Sequence, residues 1–299
     1  MPRELRAFEE PVILPDAAVI IPHYNDAARL ARCLAALMPE VPAEVEVVVV
    51  DNGSTEPLAA LAAAYPAVRF VTESRKGAAL ARNRGVAETT APLLVFLDCD
   101  CVPAPGWLAA ARQAAPLADL VGGTVTLFDE TPPPRSGAEA FETVFAFDNR
   151  GYIERKGFSV TANLLTRRDV FAAVGGFVPG LSEDLDWCRR ATARGYRLAH
   201  APGLRVAHPS RRDWPALERK WRRLTEESYG VNGTGPAARA RWALRALAMP
   251  VSILAHAPKV LAHPGLNGAG ERLAALGTLA RLRLRRAGWM LRQAAGRPI

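Results

Sequence analysis

Three times in the first hundred residues a short apolar run breaks off into a polar cluster. Ala17-Ala-Val-Ile-Ile21 runs into Pro22-His-Tyr-Asn25, Val45-Glu-Val-Val-Val-Val50 into Asp51-Asn-Gly-Ser-Thr55, and Leu93-Leu-Val-Phe-Leu97 into Asp98-Cys-Asp100. Runs of this length and composition read as buried strands. Between them, residues 26–38 carry Ala27, Leu30, Ala31, Leu34 and Leu37 at helical spacing. Residues 57–64 and 77–88 also read as helices, and 68–71 as a further strand. Such alternation predicts an α/β fold, a mainly parallel central sheet flanked by helices. Ligands of an open parallel sheet bind beyond the C-terminal strand ends, so all three polar clusters are expected at one edge.

Beyond residue 102 the pattern loosens. Residues 119–128 read as a strand, and Asp129-Glu-Thr-Pro-Pro-Pro-Arg-Ser-Gly137 as a flap or a surface loop. Residues 138–148 read as helix, 158–165 as extended, and 182–194 as a helix opened by the N-cap candidate Ser182. Two extended pieces, 197–200 and 205–208, close the section. From Trp214 the chain is Ala-, Leu- and Arg-rich and helical, with breaks expected near 230–236 and at Pro250, Pro258 and Pro264. The division expected is a domain over 1–210 (a nucleotide-binding half at 16–102, an acceptor half at 103–210) and a basic helical region over 211–299.

Charge follows the same division. From residue 204 onward 18 Lys/Arg face five Asp/Glu, a net of +13, whereas residues 1–203 hold 20 against 25, a net of −5. At 49% hydrophobic residues the chain is neither disordered nor collagen-like. Four scattered cysteines exclude a disulfide scaffold, and the Cys99/Cys101 pair lacks the spacing of a zinc knuckle, so reduced cytosolic thiols are expected. Residues 1–10 are charged throughout, unlike a secretory signal. Residues 243–262 contain Arg245, Pro250, His256, Pro258 and Lys259 and read as a broken apolar helix pair, not a membrane span.

Asp98 and Asp100 alternate along an extended segment and so share a face. Two carboxylates this close repel unless a cation or bound hydroxyls compensate them, and hard oxygen ligands suit Mn²⁺ or Mg²⁺ held jointly with substrate phosphates. Asp51, at a strand tip beside Gly53, reads alone as an Asx turn or helix cap, and otherwise as a hydrogen-bond acceptor for a base or ribose. Lys76 and Arg82 read either as a solvated helix face or as cations for a diphosphate or base.

Together these residues resemble a known pattern. Val19-Ile-Ile-Pro-His-Tyr-Asn25, Val48-Val-Val-Asp-Asn-Gly-Ser54, Ala81-Arg-Asn-Arg-Gly85 and Phe96-Leu-Asp-Cys-Asp100 resemble, in order and spacing, the family 2 glycosyltransferases of the GT-A fold. A looser likeness continues in Ala162-Asn163-Leu164, Val174-Gly-Gly-Phe177, Ser182-Glu-Asp-Leu-Asp186 and Val206-Ala-His208. It covers about 190 residues and leaves the basic C-terminal region out. The resemblance implies a nucleotide site of Pro22, Tyr24, Asp51, Lys76, Arg82 and Asp98, and a metal site of Asp100 and His208. His208 reads equally as a capped loop histidine. Asn52 departs from the family, which often has a second Asp there; His23 and Cys99 sit at variable positions and receive no role.

The resemblance also implies Asp184 as the base that takes the acceptor's proton in an inverting displacement. Glu183 and Asp184 read alone as acidic residues favoured at a helix N-terminus, where the dipole would lower the pKa of Asp184 unless desolvation opposes it. Glu183, Asn163 and Trp187 are the candidate sugar or acceptor contacts, though a tryptophan near a core is more often packing. The expected partners are a nucleotide-diphospho-sugar donor and a glycan or lipid-linked acceptor, in a cytoplasmic protein.

In the C-terminal region Leu273, Leu276, Ala280, Ala287 and Leu291 form a rough stripe margined by Arg272, Arg283 and Arg286. It reads as basic helices for an anionic membrane surface, each Lys/Arg contributing about 1 kcal/mol, or as helices packed on the catalytic domain. Few aromatics interleave with the arginines, so nucleic acid is not expected. Two competing functions are a nonenzymatic nucleotide-sugar or surface binder with a decayed site, and a nucleotidyltransferase. The latter would need a Gly/Lys-rich phosphate loop where Pro22-His-Tyr-Asn25 stands.

Overall fold

The computed structural model describes residues 15–299, so the charged segment at 1–10 lies outside the described residues. β1 (Ala17–His23), α1 (Ala27–Leu37), β2 (Val45–Asp51), α2 (Ala59–Ala64), β3 (Val68–Thr72), α3 (Ala78–Ala87) and β4 (Leu93–Leu97) alternate as the sequence predicts. β5 (Val102–Pro103), α4 (Trp107–Ala114), β6 (Leu120–Phe128), α5 (Gly137–Phe145), α6 (Asn149–Lys156), β7 (Asn163–Arg167), α7 (Arg168–Val174), α8 (Glu183–Ala193) and β8 (Leu198–Pro209) follow. Three long helices close the chain: α9 (Trp214–Asn232), α10 (Pro236–Leu261) and α11 (Gly268–Ala294).

One eight-stranded sheet runs β3-β2-β1-β4-β7-β6-β8-β5. β3, β2, β1 and β4 are mutually parallel, while β7 is antiparallel to both β4 and β6, and β5 to β8. The sheet is therefore mixed, with β7 and β5 reversed against the common direction. Nothing in the apolar runs reveals strand direction once no simple crossover separates neighbours. The two extended pieces expected at 197–208 are one strand, β8, whose pairing with β6 slips between Gly123 and Thr124.

Alternate residues of β1 feed opposite cores, which is why the strand reads as uniformly apolar. Ala17, Val19 and Ile21 pack with Leu30 and Leu34 of α1 and Trp107 of α4. Ala18 and Ile20 pack with α3, α7 and α8 through Val86, Phe171 and Trp187. α3 lies so close to the sheet that a Cβ on Gly85 would sit 2.4 Å from Cγ2 of Ile20.

The C-terminal helices do not stand apart. Phe141 and Val144 of α5 share a core with Leu217, Val260, Leu279 and Leu282. α10 also corrects an expectation, for it runs unbroken through Pro250 and Pro258. Each proline forfeits one backbone hydrogen bond and crowds the carbonyl four residues back. Both sit on the exposed side, while Trp242 and Ala246 anchor the other side and the Trp242 indole donates to Gln293 of α11 at 2.9 Å.

Candidate functional site

The tips of β1 and β2 are locked together by a buried histidine. His23 pairs with Asp51 across the parallel ladder and is 1% exposed. Its Nε2 accepts the amide N–H of Asp26 at 3.1 Å, so the proton lies on Nδ1, which donates to Asp51 Oδ1 at 3.2 Å. Asp51 also accepts the amide of Ser54, three residues on, at 3.3 Å. Its carboxylate is thus aimed, and remains partly open to solvent. Sequence reasoning gave His23 no role; a histidine at the end of one strand, with an acid at the end of its neighbour, is the signal that could have found it.

Beside this tip Tyr24 is exposed, with the Lys76 ammonium 4.1 Å from its ring centre. Lys76 donates to the Gly53 carbonyl at 2.9 Å. Its loop hangs on Asn52, whose Nδ2 donates to the carbonyls of Glu73 (2.9 Å) and Arg75 (2.7 Å) while its Oδ1 accepts the Gly77 amide at 2.7 Å. An aspartate has no N–H to offer those two carbonyls. The departure from the family's pattern therefore shapes the wall that carries Lys76. Tyr24 and Lys76 thus meet beside the loop that follows Asp51, and Pro22 stands opposite Val50 in the adjoining ladder.

Arg82 is placed differently from the expected nucleotide-flanking cation. It is 4% exposed, and its guanidinium donates to Asp98 Oδ1 at 2.5 Å and to Glu183 Oε1 at 2.8 Å. Burial opposes its charge, and the carboxylates of Asp98 and Glu183 outweigh burial, holding its pKa above the ordinary arginine value. Arg82 is a clamp joining the β4 tip to the start of α8. Glu183 is correspondingly an ion-pair partner in this structure.

The next residue, Asp184, accepts the Ser182 hydroxyl at 3.1 Å and the Leu185 amide at 2.7 Å. Burial, reinforced by the Glu183 charge, pushes its pKa up to about 6 despite these bonds and the helix N-terminus. α9 approaches from the C-terminal region. A Cβ on Gly230 would lie 3.2 Å from Leu181, so this helix packs on the loop before α8. One face-sharing position earlier, Glu227 is pushed to about 7 by burial, with the charges of Glu183 and Asp184 adding and Arg223 opposing. Glu227 escaped sequence reasoning because it is 43 residues from Asp184 and carries no local motif.

Asp100 and His208 meet at the other end of the edge. His208 is 5% exposed, and its Nδ1 lies 2.7 Å from the Pro209 carbonyl, an acceptor only. Nδ1 therefore carries the proton, and in the neutral ring Nε2 turns a lone pair toward Asp100 Oδ2 at 3.2 Å. Burial lowers the His208 pKa and favours that neutral form. Two acceptors facing each other call for a cation between them, and an imidazole with one carboxylate suits a divalent transition ion. Among the described residues no group of three or more His, Cys, Asp or Glu side chains gathers around a metal position. Two protein ligands fit an ion whose other ligands are phosphate and water.

Around this pair, Phe147 lies 5.0 Å from the His208 ring, and Lys220 of α9 lies 5.3 Å from Phe147. Lys220 also bonds the buried Glu142 at 2.7 Å, and burial lowers its pKa to about 8. A cavity of about 290 Å³ opens beside them, lined by Thr126, Asp129, Arg135, Glu142 and Phe147.

Two expected contacts are corrected. Trp187 is fully buried against Phe171 and Phe177, its indole bonded to the Gly175 carbonyl at 2.9 Å, so it offers no surface to a sugar. Asn163 is equally buried; it bonds the carbonyls of Thr124 and Leu204 and accepts from Trp107 at 3.0 Å. Both are packing residues because the helix and strand that carry them are central. The cysteines at 99 and 101 keep their protons, burial and then the charges of Asp100 and Asp98 pushing them well above the usual thiol value.

Known proteins resemble this chain in both sequence and fold. Residues 18–178 match the model of "Glycosyl transferase family 2". The chain is 33% identical over 220 residues to glycosyltransferase AglE of Haloferax volcanii, covering 70% of this chain and 72% of that protein. It is 31% identical over 215 residues to the pre-mycofactocin glycosyltransferase of Mycobacterium tuberculosis, covering 67% of this chain and 45% of that protein. Among solved structures, the mannosyltransferase PcManGT from Pyrobaculum calidifontis, in complex with GDP-Man and Mn²⁺, superposes with a TM-score of 0.55 at 20% identity, over 96% of this chain and 77% of that one. GalNAc-T7 with UDP, GalNAc and Mn²⁺ gives 0.51 at 17% identity, over 72% and 48%. On the strength of the family model and these relatives, the chain belongs to glycosyl transferase family 2 and is a glycosyltransferase with the GT-A fold.

Proposed function

We propose that this glycosyltransferase moves a sugar from a UDP- or GDP-linked donor to a hydroxyl of a glycan or lipid-linked acceptor, inverting the anomeric carbon, in polysaccharide, glycolipid or cell-envelope synthesis. The observation that carries the reading is that complementary groups gather about one strand tip. Just past β4, Asp100 and neutral His208 present facing acceptors, and Arg82 with Glu183 ties the same tip to α8, where Asp184 holds a carboxylate with a pKa of about 6.

In this reading the patch of Pro22, Tyr24, Asp51 and Lys76 receives the base and ribose, with Asp51 aimed by His23 to accept hydrogen bonds. Asp98, fixed by Arg82, faces the ribose. Asp100 and His208 would hold Mn²⁺ or Mg²⁺, which when bound supplies positive charge to the departing diphosphate. Asp184 takes the acceptor hydroxyl's proton as the oxygen attacks from the side opposite the leaving group. A carboxylate of pKa about 6 is a stronger base than an exposed one and is still largely ionised near neutrality. Support comes also from the ligands named with the two similar structures, GDP-Man with Mn²⁺ in one and UDP, GalNAc and Mn²⁺ in the other. A cytoplasmic setting fits the four free cysteines.

The test is nucleoside diphosphate release from a panel of UDP- and GDP-sugars with Mn²⁺, with EDTA, and in Asp184→Asn. Release that needs the cation and falls at least about a hundredfold in the variant supports the reading. Turnover in the variant within a few-fold of wild type would remove Asp184 from the mechanism.

A further inference from the structure

Among the described residues α10 is long and apolar enough to cross a membrane, with a mean hydropathy of 1.2 in its 18-residue window, of which only 11% is buried. Leu244, Leu247, Val251, Leu254 and Leu261 are 67, 62, 68, 77 and 52% exposed. Their spacing places them on one stripe. Exposed Ala248, Pro250, Ala255 and Pro258 lie among them. The other side of the helix is occupied: Trp242, Ala246 and Val260 are buried, and His256 packs edge-on against Phe145 of α5. Five large aliphatic side chains aligned in water mark an interaction surface.

Charge identifies the partner. Arg241 and Arg245 precede or join the start of the stripe and Lys259 stands in its last turns; all three are exposed, and among the described residues no carboxylate pairs with them. The thirteen residues from Ala246 to Pro258 contain no Asp, Glu, Lys or Arg. Residues 236–299 carry eleven Lys/Arg against the single acid Glu271. Glu271 is itself buried and paired with Arg135 at 3.2 Å, so it does not offset the outer positive charge.

We propose that α10 lies in the plane of an anionic membrane surface, its leucine–valine stripe in the acyl boundary and Arg241, Arg245 and Lys259 at the lipid phosphates. An apolar stripe with cations at its ends meets both demands of an interfacial helix; Arg241 and Arg245 reach the headgroups directly, and the exposed Lys259 does so by leaving the Phe145 ring, 5.1 Å away. The helix lies flat and does not span, because α11 and α5 already fill its inner face. A symmetric dimer through the same stripe would set these cations against the like charges of the other copy. This surface does not depend on which sugar is transferred, or on whether one is.

Flotation of the full-length protein tests it, using phosphatidylcholine vesicles and vesicles of phosphatidylcholine with phosphatidylglycerol, at low and high salt. The expected result is co-flotation with the anionic vesicles that weakens in high salt. A Leu247→Glu/Leu254→Glu double variant should partition at least about tenfold less. Both leucines are more than 60% exposed, so circular dichroism and the melting temperature should match wild type. Wild-type protein that stays unbound to anionic vesicles, or a double variant that floats equally well, overturns the proposal. So does a wild-type dimer in light scattering that the double variant dissociates, without flotation of either form, since it would give the stripe to a second copy.

Discussion

The Asp184 carboxylate sits in the first turn of a helix, where the backbone favours its charged form, and is nonetheless harder to ionise than a free aspartate. Burial is the largest influence, the neighbouring Glu183 charge adds to it, and Arg82 pulls the other way. A base must be deprotonated to act, so turnover should fall as pH drops through about 6, whatever acceptor is used. Replacing Arg82 by Met removes the cation that lowers this pKa. The acidic limb of the pH–rate profile should then move to higher pH, and stability should fall by about 1 to 3 kcal/mol because the partly exposed carboxylates of Asp98 and Glu183 lose their hydrogen-bond donor. An unmoved limb would show that Arg82 does not tune the base. Asn52→Asp is a separate case: it strips donors from the Glu73 and Arg75 carbonyls and should cost about 1 to 3 kcal/mol in chemical denaturation.

At the scale of elements, α9 ties the C-terminal region to the catalytic edge. Lys220 and Glu227 are two turns apart on one side of this helix, the first bonded to Glu142 and near the His208 end, the second within the field of Asp184. Glu142 has no exposed side-chain surface, so Lys220→Met leaves its charge to Arg211 alone and should destabilise the fold by about 3 to 5 kcal/mol. Glu227, pushed to about 7, is mostly protonated where Asp184 titrates near 6, so Glu227→Gln should leave the acidic limb nearly in place. Which elements the sequence discloses follows from the range of the forces that make them. β1, β2 and β4 are legible because each buried strand is a contiguous apolar run with a polar tip. The reversed β7, the short α6 and α7 and the passage of α10 through two prolines depend on neighbours far along the chain. The site divides the same way: Asp51, Asp98 and Asp100 announce themselves at strand tips, whereas Arg82's partners lie 16 and 101 residues away. The burial of Trp187 follows from α8 packing on Phe171 of α7 and on Phe177, which no local pattern reports.

For the whole molecule, a sheet that gathers acidic tips at one edge is joined by three basic helices that share a core with α5. That shared core predicts that a 1–210 fragment, which exposes Phe141 and Val144 and deprives Glu142 of Lys220, will not fold cooperatively in a thermal melt. Donor activation in the proposed reaction rests on the opposed acceptors of Asp100 and His208. Electron paramagnetic resonance of Mn²⁺ added to the protein with UDP or GDP measures this directly. Binding of the ion together with a nucleoside diphosphate, lost in Asp100→Asn and in His208→Ala while the melting temperature holds, is the predicted result. Equal Mn²⁺ binding in wild type and both variants, or none in any of them, would contradict it.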